Sequence, residues 1–173
     1  MSDTSDDALR DALAAGREEA FAMLYDRHAP AMFRVALALT GSAADSEDAV
    51  QDVFVGLVRA GAALARIRDL RAYLFAALRR AAYRRAMRRG PVAAGALERR
   101  LPPAPRDDPR GDRLERALAA LPPEQREVVA LKTEADMTLA EIAAVLGISP
   151  NTAASRYRYA LARLRAALGE APA

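Results

Sequence analysis

A chain of 173 residues has room for one core or two small ones, and its 52% hydrophobic and 5% aromatic content suits helical bundles better than sheets. It contains no cysteine, which excludes disulfides and thiolate metal sites. The start, MSDTSDDALR, is too acidic and polar for a signal peptide or membrane span, so a cytoplasmic protein without membrane insertion is expected. The net charge of +3 conceals an asymmetry: residues 1–58 hold 11 acidic and 4 basic side chains, and residues 59–90 hold 10 arginines against Asp69 alone. An acidic block followed by an arginine block implies two partner surfaces, the second for a polyanion such as nucleic acid.

In chain order, residues 1–5 read as frayed, and a first helix runs from Ser5 or Asp6 to about Ala15, stopped by Gly16. The next apolar repeat, Phe21, Leu24, Tyr25, Phe33, Leu37 and Ala38, predicts a core helix that Pro30 kinks or divides. His28 has no second histidine or cysteine beside it, and a structural role outweighs a metal or catalytic one. After Gly41, Ser42 or Asp45 starts a helix with Ala49, Val50, Val53, Phe54, Leu57 and Val58 as its buried stripe. Asp45, Glu47, Asp48 and Asp52 crowd its first turns, where the helix dipole favours negative charge. Gln51 and Asp52 lie further in, where a docking surface for a basic partner is an equal alternative.

A loop then leads to Asp69, a helix cap, and to LRAYLFAALRRAAYRRAMRRG. Leu70, Tyr73, Leu74, Ala77, Leu78 and Ala81 form its apolar side, while Phe75, Arg79 and Tyr83 follow at four-residue spacing elsewhere. Aromatics among arginines suit stacking on unpaired bases with phosphates held alongside. The bland alternative places Phe75 in the core and the arginines in solvent. Residues 91–111 carry five prolines and no apolar period, so they read as a linker. Beyond it, Asp112 caps one helix, Pro122–Pro123 restart the chain, and a further helix buries Val128, Val129 and Leu131.

Two more helices follow. Thr138 and Glu141 have capping-box spacing, Leu139, Ile142, Ala143 and Leu146 form one apolar face, and Gly147 ends the helix. Ser149 caps the last helix with Pro150 at its first position; Ala153, Tyr157, Ala160, Leu161, Leu164 and Leu168 form its stripe. This is the helix-turn-helix pattern. Asn151, Thr152, Ser155, Arg156, Arg158 and Tyr159 face outward, and residues 142–169 contain four arginines and no acid. Such side chains on a helix suit base edges and phosphates of the major groove, whereas a merely solvated face would mix signs.

Two blocks resemble one family. AFAMLYDRHAPAMFRVALALTG with DSEDAVQDVFVGLVRA is similar to the first domain of bacterial extracytoplasmic-function sigma factors, and LPPEQREVVALKTEADMTLAEIAAVLGISPNTAASRYRYALARLR to their second. The resemblance implies an all-α protein of two small helical domains joined by a Pro-rich linker, the second a four-helix helix-turn-helix domain. Residues 1–90 would dock on polymerase and engage the −10 element, residues 91–111 would link, and residues 112–173 would read the −35 element. The partners implied are core RNA polymerase (its β′ clamp helices and β flap), promoter DNA and, in some members, an anti-sigma factor. By the same resemblance Asp48, Gln51, Asp52 and Phe54 would bind polymerase, and Tyr73, Phe75, Arg79, Arg80 and Tyr83 would hold and open −10 DNA. Thr152, Ala154, Ser155, Arg156, Arg158 and Tyr159 would read −35 DNA. The family usually has Trp where Tyr73 stands and often Asn where Arg80 stands, both in the melting helix. No nucleophile–base pair, phosphate loop or metal cluster is legible, so neither an enzyme nor a cofactor is expected. A stand-alone DNA-binding regulator and a helical protein-binding adaptor are the competing classes; the first would grip duplex DNA without polymerase, the second would ignore DNA.

Overall fold

The computed structural model describes residues 6–88 and 109–169, which are all-α. Helices α1 (Asp6–Ala14), α2 (Glu18–Thr40) and α3 (Ala43–Ala60) lead through a 3₁₀ helix (Gly61–Arg66) to α4 (Leu70–Arg88). The C-terminal unit comprises α5 (Pro109–Ala119), α6 (Pro123–Glu134), α7 (Leu139–Leu146) and α8 (Pro150–Leu168).

Local chemistry sets most of these boundaries. Gly41 closes α2 at φ 64°, its N–H donating to the Leu37 carbonyl. The Ser42 hydroxyl then accepts from the Asp45 N–H at 3.3 Å to open α3. The buried Thr40 and Ser46 hydroxyls, 2.8 Å apart, both reach the Ser42 carbonyl and so tie the end of α2 to the backbone of that cap. Asp69 caps α4 by accepting from the Ala72 N–H at 2.8 Å.

Several expectations are corrected. Helix α2 runs through exposed Pro30 without interruption. The alternative that fails is division into two helices: interior proline costs about 3 kcal/mol, and Leu24, Met32, Val35 and Ala36, buried on both sides of it, offset that cost. The stretch after Ala60 is a 3₁₀ helix instead of a loop, anchored by buried Leu64. Helix α5 begins at Pro109, so the last residues assigned to the linker are helical; residues 1–5 and 91–108 lie outside the described residues. Val58 is 63% exposed: the buried line of α3 is Ser46, Ala49, Val50, Val53 and Leu57, and Val58 lies off it.

The two helical units pack on each other. Helix α6 lies against α2, and α7 against α4. Their interiors merge: Leu24, Met32, Leu57, Leu74, Phe75 and Leu78 share one apolar cluster with Val128, Leu131, Met137 and Ile142. A smaller cluster, Ala117, Leu121, Val129, Ala160 and Leu164, holds α5 and α8 to α6, and Tyr157 packs on both. Each fully buried leucine contributes roughly 1.5–3 kcal/mol, so the larger cluster dominates.

Candidate nucleic-acid interface

Helix α7 starts on a complete capping box. Thr138 Oγ1 accepts from the Glu141 N–H at 3.2 Å, and Glu141 Oε2 accepts from the Thr138 N–H at 2.7 Å. The Thr138 hydroxyl also donates to Glu141 Oε2 at 2.7 Å, and this bond together with that from the Thr138 amide holds the Glu141 carboxyl below its ordinary range. Gly147 ends α7 at φ 66°, and Ser149 Oγ accepts from the Thr152 N–H at 3.1 Å to open α8. Because both ends of the turn are fastened, α8 has a defined orientation. Its inner line is Ala153, Ala160 and Leu164.

On the outer face Asn151, Thr152, Arg158, Tyr159, Arg163 and Arg165 are exposed, while Ala154, Ser155 and Arg156 are half-buried. The Arg158 guanidinium lies 5.3 Å from the ring centroid of its neighbour Tyr159, which pre-orders both side chains. Among the described residues, no carboxylate lies within ion-pair distance of Arg158, Arg163 or Arg165. A helix presenting unneutralised arginines beside Asn and Thr can follow a phosphate backbone and reach base edges.

Helix α4 is different. Phe75 is 2% exposed and joins Leu74 and Leu78 in the core, so it is not available for a base to stack on; the bland alternative holds for this residue. The apolar arc of α4 extends to Phe75 and Ala82 because α4 is covered on two sides, by α2–α3 and by α7. Tyr73 is half-buried against the core, and Arg80 is exposed. Arg79 donates from Nε to Glu127 Oε1 at 2.6 Å, and the Tyr83 hydroxyl reaches Glu127 Oε2 at 3.4 Å. The Arg79 guanidinium also sits 5.1 Å from the Tyr83 ring centroid.

Glu127 itself is 2% exposed. Burial pushes its carboxyl above the ordinary range, and the hydrogen bond and charge of Arg79 only partly oppose this. Burial, then the Glu127 charge, raise the Tyr83 hydroxyl as well. For Arg79, burial acts downward, but the bond to Glu127 and its charge outweigh it and the guanidinium is held more firmly protonated.

The acidic face of α3 is also engaged. Arg85 of α4 donates to Asp48 at 2.7 Å and to Asp52 at 2.8 Å. Gln51 is exposed, and Phe54 is half-buried with its ring 4.9 Å from that of Tyr25. Val55 and Val58, both exposed, extend the face that carries Asp48, Gln51 and Asp52. Arg85, Glu127 and Arg71 carry no sequence signal that sets them apart: each is one charge among many until the helices pack. The ten arginines of residues 59–90 therefore do not simply repel one another, because three of them meet acids from other helices.

Two family models divide the chain at the same place as the helices. Sigma-70 region 2 matches residues 24–91, and Sigma-70, region 4 matches residues 111–164. The ECF RNA polymerase sigma factor SigL of Mycobacterium tuberculosis is 33% identical over 165 residues, covering 91% of this chain and 93% of SigL. The chain belongs to the ECF class of sigma-70 factors. As such, this sigma factor is a promoter-directing initiation factor of RNA polymerase. CnrH, solved in complex with the cytosolic domain of CnrY, is 30% identical with a TM-score of 0.72, covering 95% of this chain and 97% of CnrH. RpoE from Bartonella quintana, solved with the anti-sigma factor NepR, is 24% identical and agrees in fold, with a TM-score of 0.69 over 86% of this sigma factor and 96% of that chain.

Proposed function

We propose that the two helical units of this sigma factor divide the work of initiation. Residues 1–90 dock on core polymerase through Asp48, Gln51, Asp52 and Phe54, with exposed Val55 and Val58 enlarging the same face. Tyr73, Arg79, Arg80 and Tyr83 of α4 engage the −10 element as its strands separate, where holding an unstacked base costs a few kcal/mol; Phe75 supports them from the core. Residues 91–111 connect the units. Residues 112–173 read the −35 element through Thr152, Ala154, Ser155, Arg156, Arg158 and Tyr159, with the half-buried members of this set contributing backbone approach more than reach.

The observation that carries this reading is the outer face of α8: a doubly capped helix whose exposed arginines meet no carboxylate among the described residues. The protein acts by binding, without chemistry or a cofactor of its own, and in the cytoplasm; among the described residues no helix is long and apolar enough to cross a membrane. An anti-sigma protein is a further partner, a reading supported by CnrH and RpoE having each been captured with a second protein.

The test pairs two substitutions. Arg158→Ala is expected to reduce discrimination of the upstream element about tenfold, the weight of one good base contact, with polymerase binding unchanged. Asp52→Ala is expected to weaken capture by core polymerase and leave duplex binding by α8 intact. If Arg158→Ala weakens all sequences equally, α8 holds phosphates and does not read bases.

A further inference from the structure

Arg85 of α4 bridges two acids of α3 at once. Its Nη1 donates to Asp48 Oδ2 at 2.7 Å and its Nη2 to Asp52 Oδ2 at 2.8 Å. The two aspartates stand one turn apart on α3, a spacing at which like charges repel. A guanidinium suits this spacing because its planar fork offers separate N–H groups to separate acceptors, whereas a lysine offers one point of charge. The Arg85 side chain is only 20% exposed, while those of Asp48 and Asp52 are 53% and 46% exposed. Each carboxylate therefore gives one oxygen to Arg85 and keeps acceptor capacity toward solvent.

We propose that Arg85 is a positioning residue for polymerase docking: it holds Asp48 and Asp52 side by side, so that the partner meets two carboxylates already in place. The proposal rests on the assignment of Asp48 and Asp52 to core polymerase. Arg85 belongs to the arginine block whose charge otherwise suits a nucleic acid, yet both of its terminal nitrogens are committed to the docking face. Asp48, Gln51, Asp52 and Val55 follow one another along α3 at three- or four-residue spacing, all exposed, and Arg85 approaches that stripe from the flank.

Helices α3 and α4 do not depend on this bridge to stay together. Ala49, Val50, Val53 and Leu57 share one apolar cluster with Leu74, Leu78, Ala81 and Ala82, and ion pairs as exposed as these stabilise little. What the bridge does supply is order. Without Arg85 each aspartate would sample several rotamers and repel the other, and part of the binding energy would go into fixing them when the partner arrives. The opposite role, a shield that withholds the carboxylates from polymerase, would need them covered, and about half of each side chain is open to solvent.

The test is a titration of core polymerase into the full chain carrying a fluorophore at its N-terminus, with Kd read by anisotropy and folding checked by circular dichroism. Arg85→Ala is expected to raise Kd about fivefold, the scale of freeing two ordered side chains. Arg85→Lys keeps the charge without the fork and should raise Kd only about twofold. The deciding measurement repeats Arg85→Ala in an Asp48→Ala/Asp52→Ala background, where nothing is left to position and Kd should not move further. An unchanged Kd for Arg85→Ala overturns the proposal, and a lower one overturns it by marking Arg85 as a shield. An equal rise in both backgrounds also overturns it, because Arg85 would then act through the packing of α3 on α4. If Asp48→Ala/Asp52→Ala alone leaves Kd unchanged, the docking assignment itself falls and takes this role with it. If that variant weakens binding and Arg85→Ala does not, only the role of Arg85 falls.

Discussion

Helices α4 and α8 are both 19 residues long and both rich in arginine, yet their arginines meet different surroundings. Three of the six arginines of α4 face carboxylates from α3, α6 and α7: Arg85 with Asp48 and Asp52, Arg79 with Glu127, Arg71 with Glu141. Arg158, Arg163 and Arg165 of α8 have no such partner among the described residues. The difference teaches that arginine content measures only potential affinity for a polyanion. Availability depends on what each helix is packed against. Helix α8 keeps an open outer face, whereas α4 is covered by α2–α3 and by α7.

The comparison breaks most sharply in the interior. Leu74→Ala in α4, at a site with no exposure in the merged core, should cost about 3–4 kcal/mol, whereas Leu164→Ala in α8, at the edge of the smaller cluster, should cost about 2 kcal/mol. Urea titration of each variant measures both, and equal losses would mean that α8 is as deeply integrated as α4. Next, Arg79→Ala leaves the Glu127 carboxylate buried beside Tyr83 with Arg156 as its remaining cationic neighbour. A loss of about 2 kcal/mol is expected, less than for a fully buried pair because over a third of the Arg79 side chain is in water. The matched change in α8, Arg158→Ala, should move stability by less than about 0.5 kcal/mol.

Helix caps provide a smaller contrast. Ser149→Ala removes the acceptor for the Thr152 N–H and should cost about 1 kcal/mol, with the loss appearing in α8 amide exchange and not in α4. The smallest effect is one of pH. Glu141 is held below its ordinary range when folded, so its contribution is present above that range and is lost as pH falls through the lower folded value. The stability difference between the protein and Glu141→Gln should therefore shrink on acidification. Glu127 has the opposite sign: burial raises its folded carboxyl, so stability is lost as pH rises from the ordinary carboxylate range to the raised value. Thermal unfolding followed across acid pH separates the two.

Local signals were legible wherever a single turn of chain contains both partners. Ser42, Asp69, Thr138 with Glu141, Gly147 and Ser149 each act on residues three or four positions away, and all were readable as caps or stops. The helix-turn-helix and the outward face of α8 followed from these together with the apolar period. At Pro30 the local signal left division and a single helix both open, and packing along α2 decided for the single helix; Val58 misled because hydrophobicity says nothing about which way a residue lies once neighbours complete the stripe.

What the amino-acid order determined by itself was the all-α class, the helix ends near each cap, the asymmetry of charge and the family. Only the tertiary structure decided that Phe75 is core, that Glu127 is buried under Arg79 and Tyr83, and that Arg85 covers Asp48 and Asp52. The physical reason is one of range. Caps and periodicities are interactions within a turn or two, whereas Arg79 and Glu127 stand 48 positions apart and meet only after two helical units have chosen their mutual orientation.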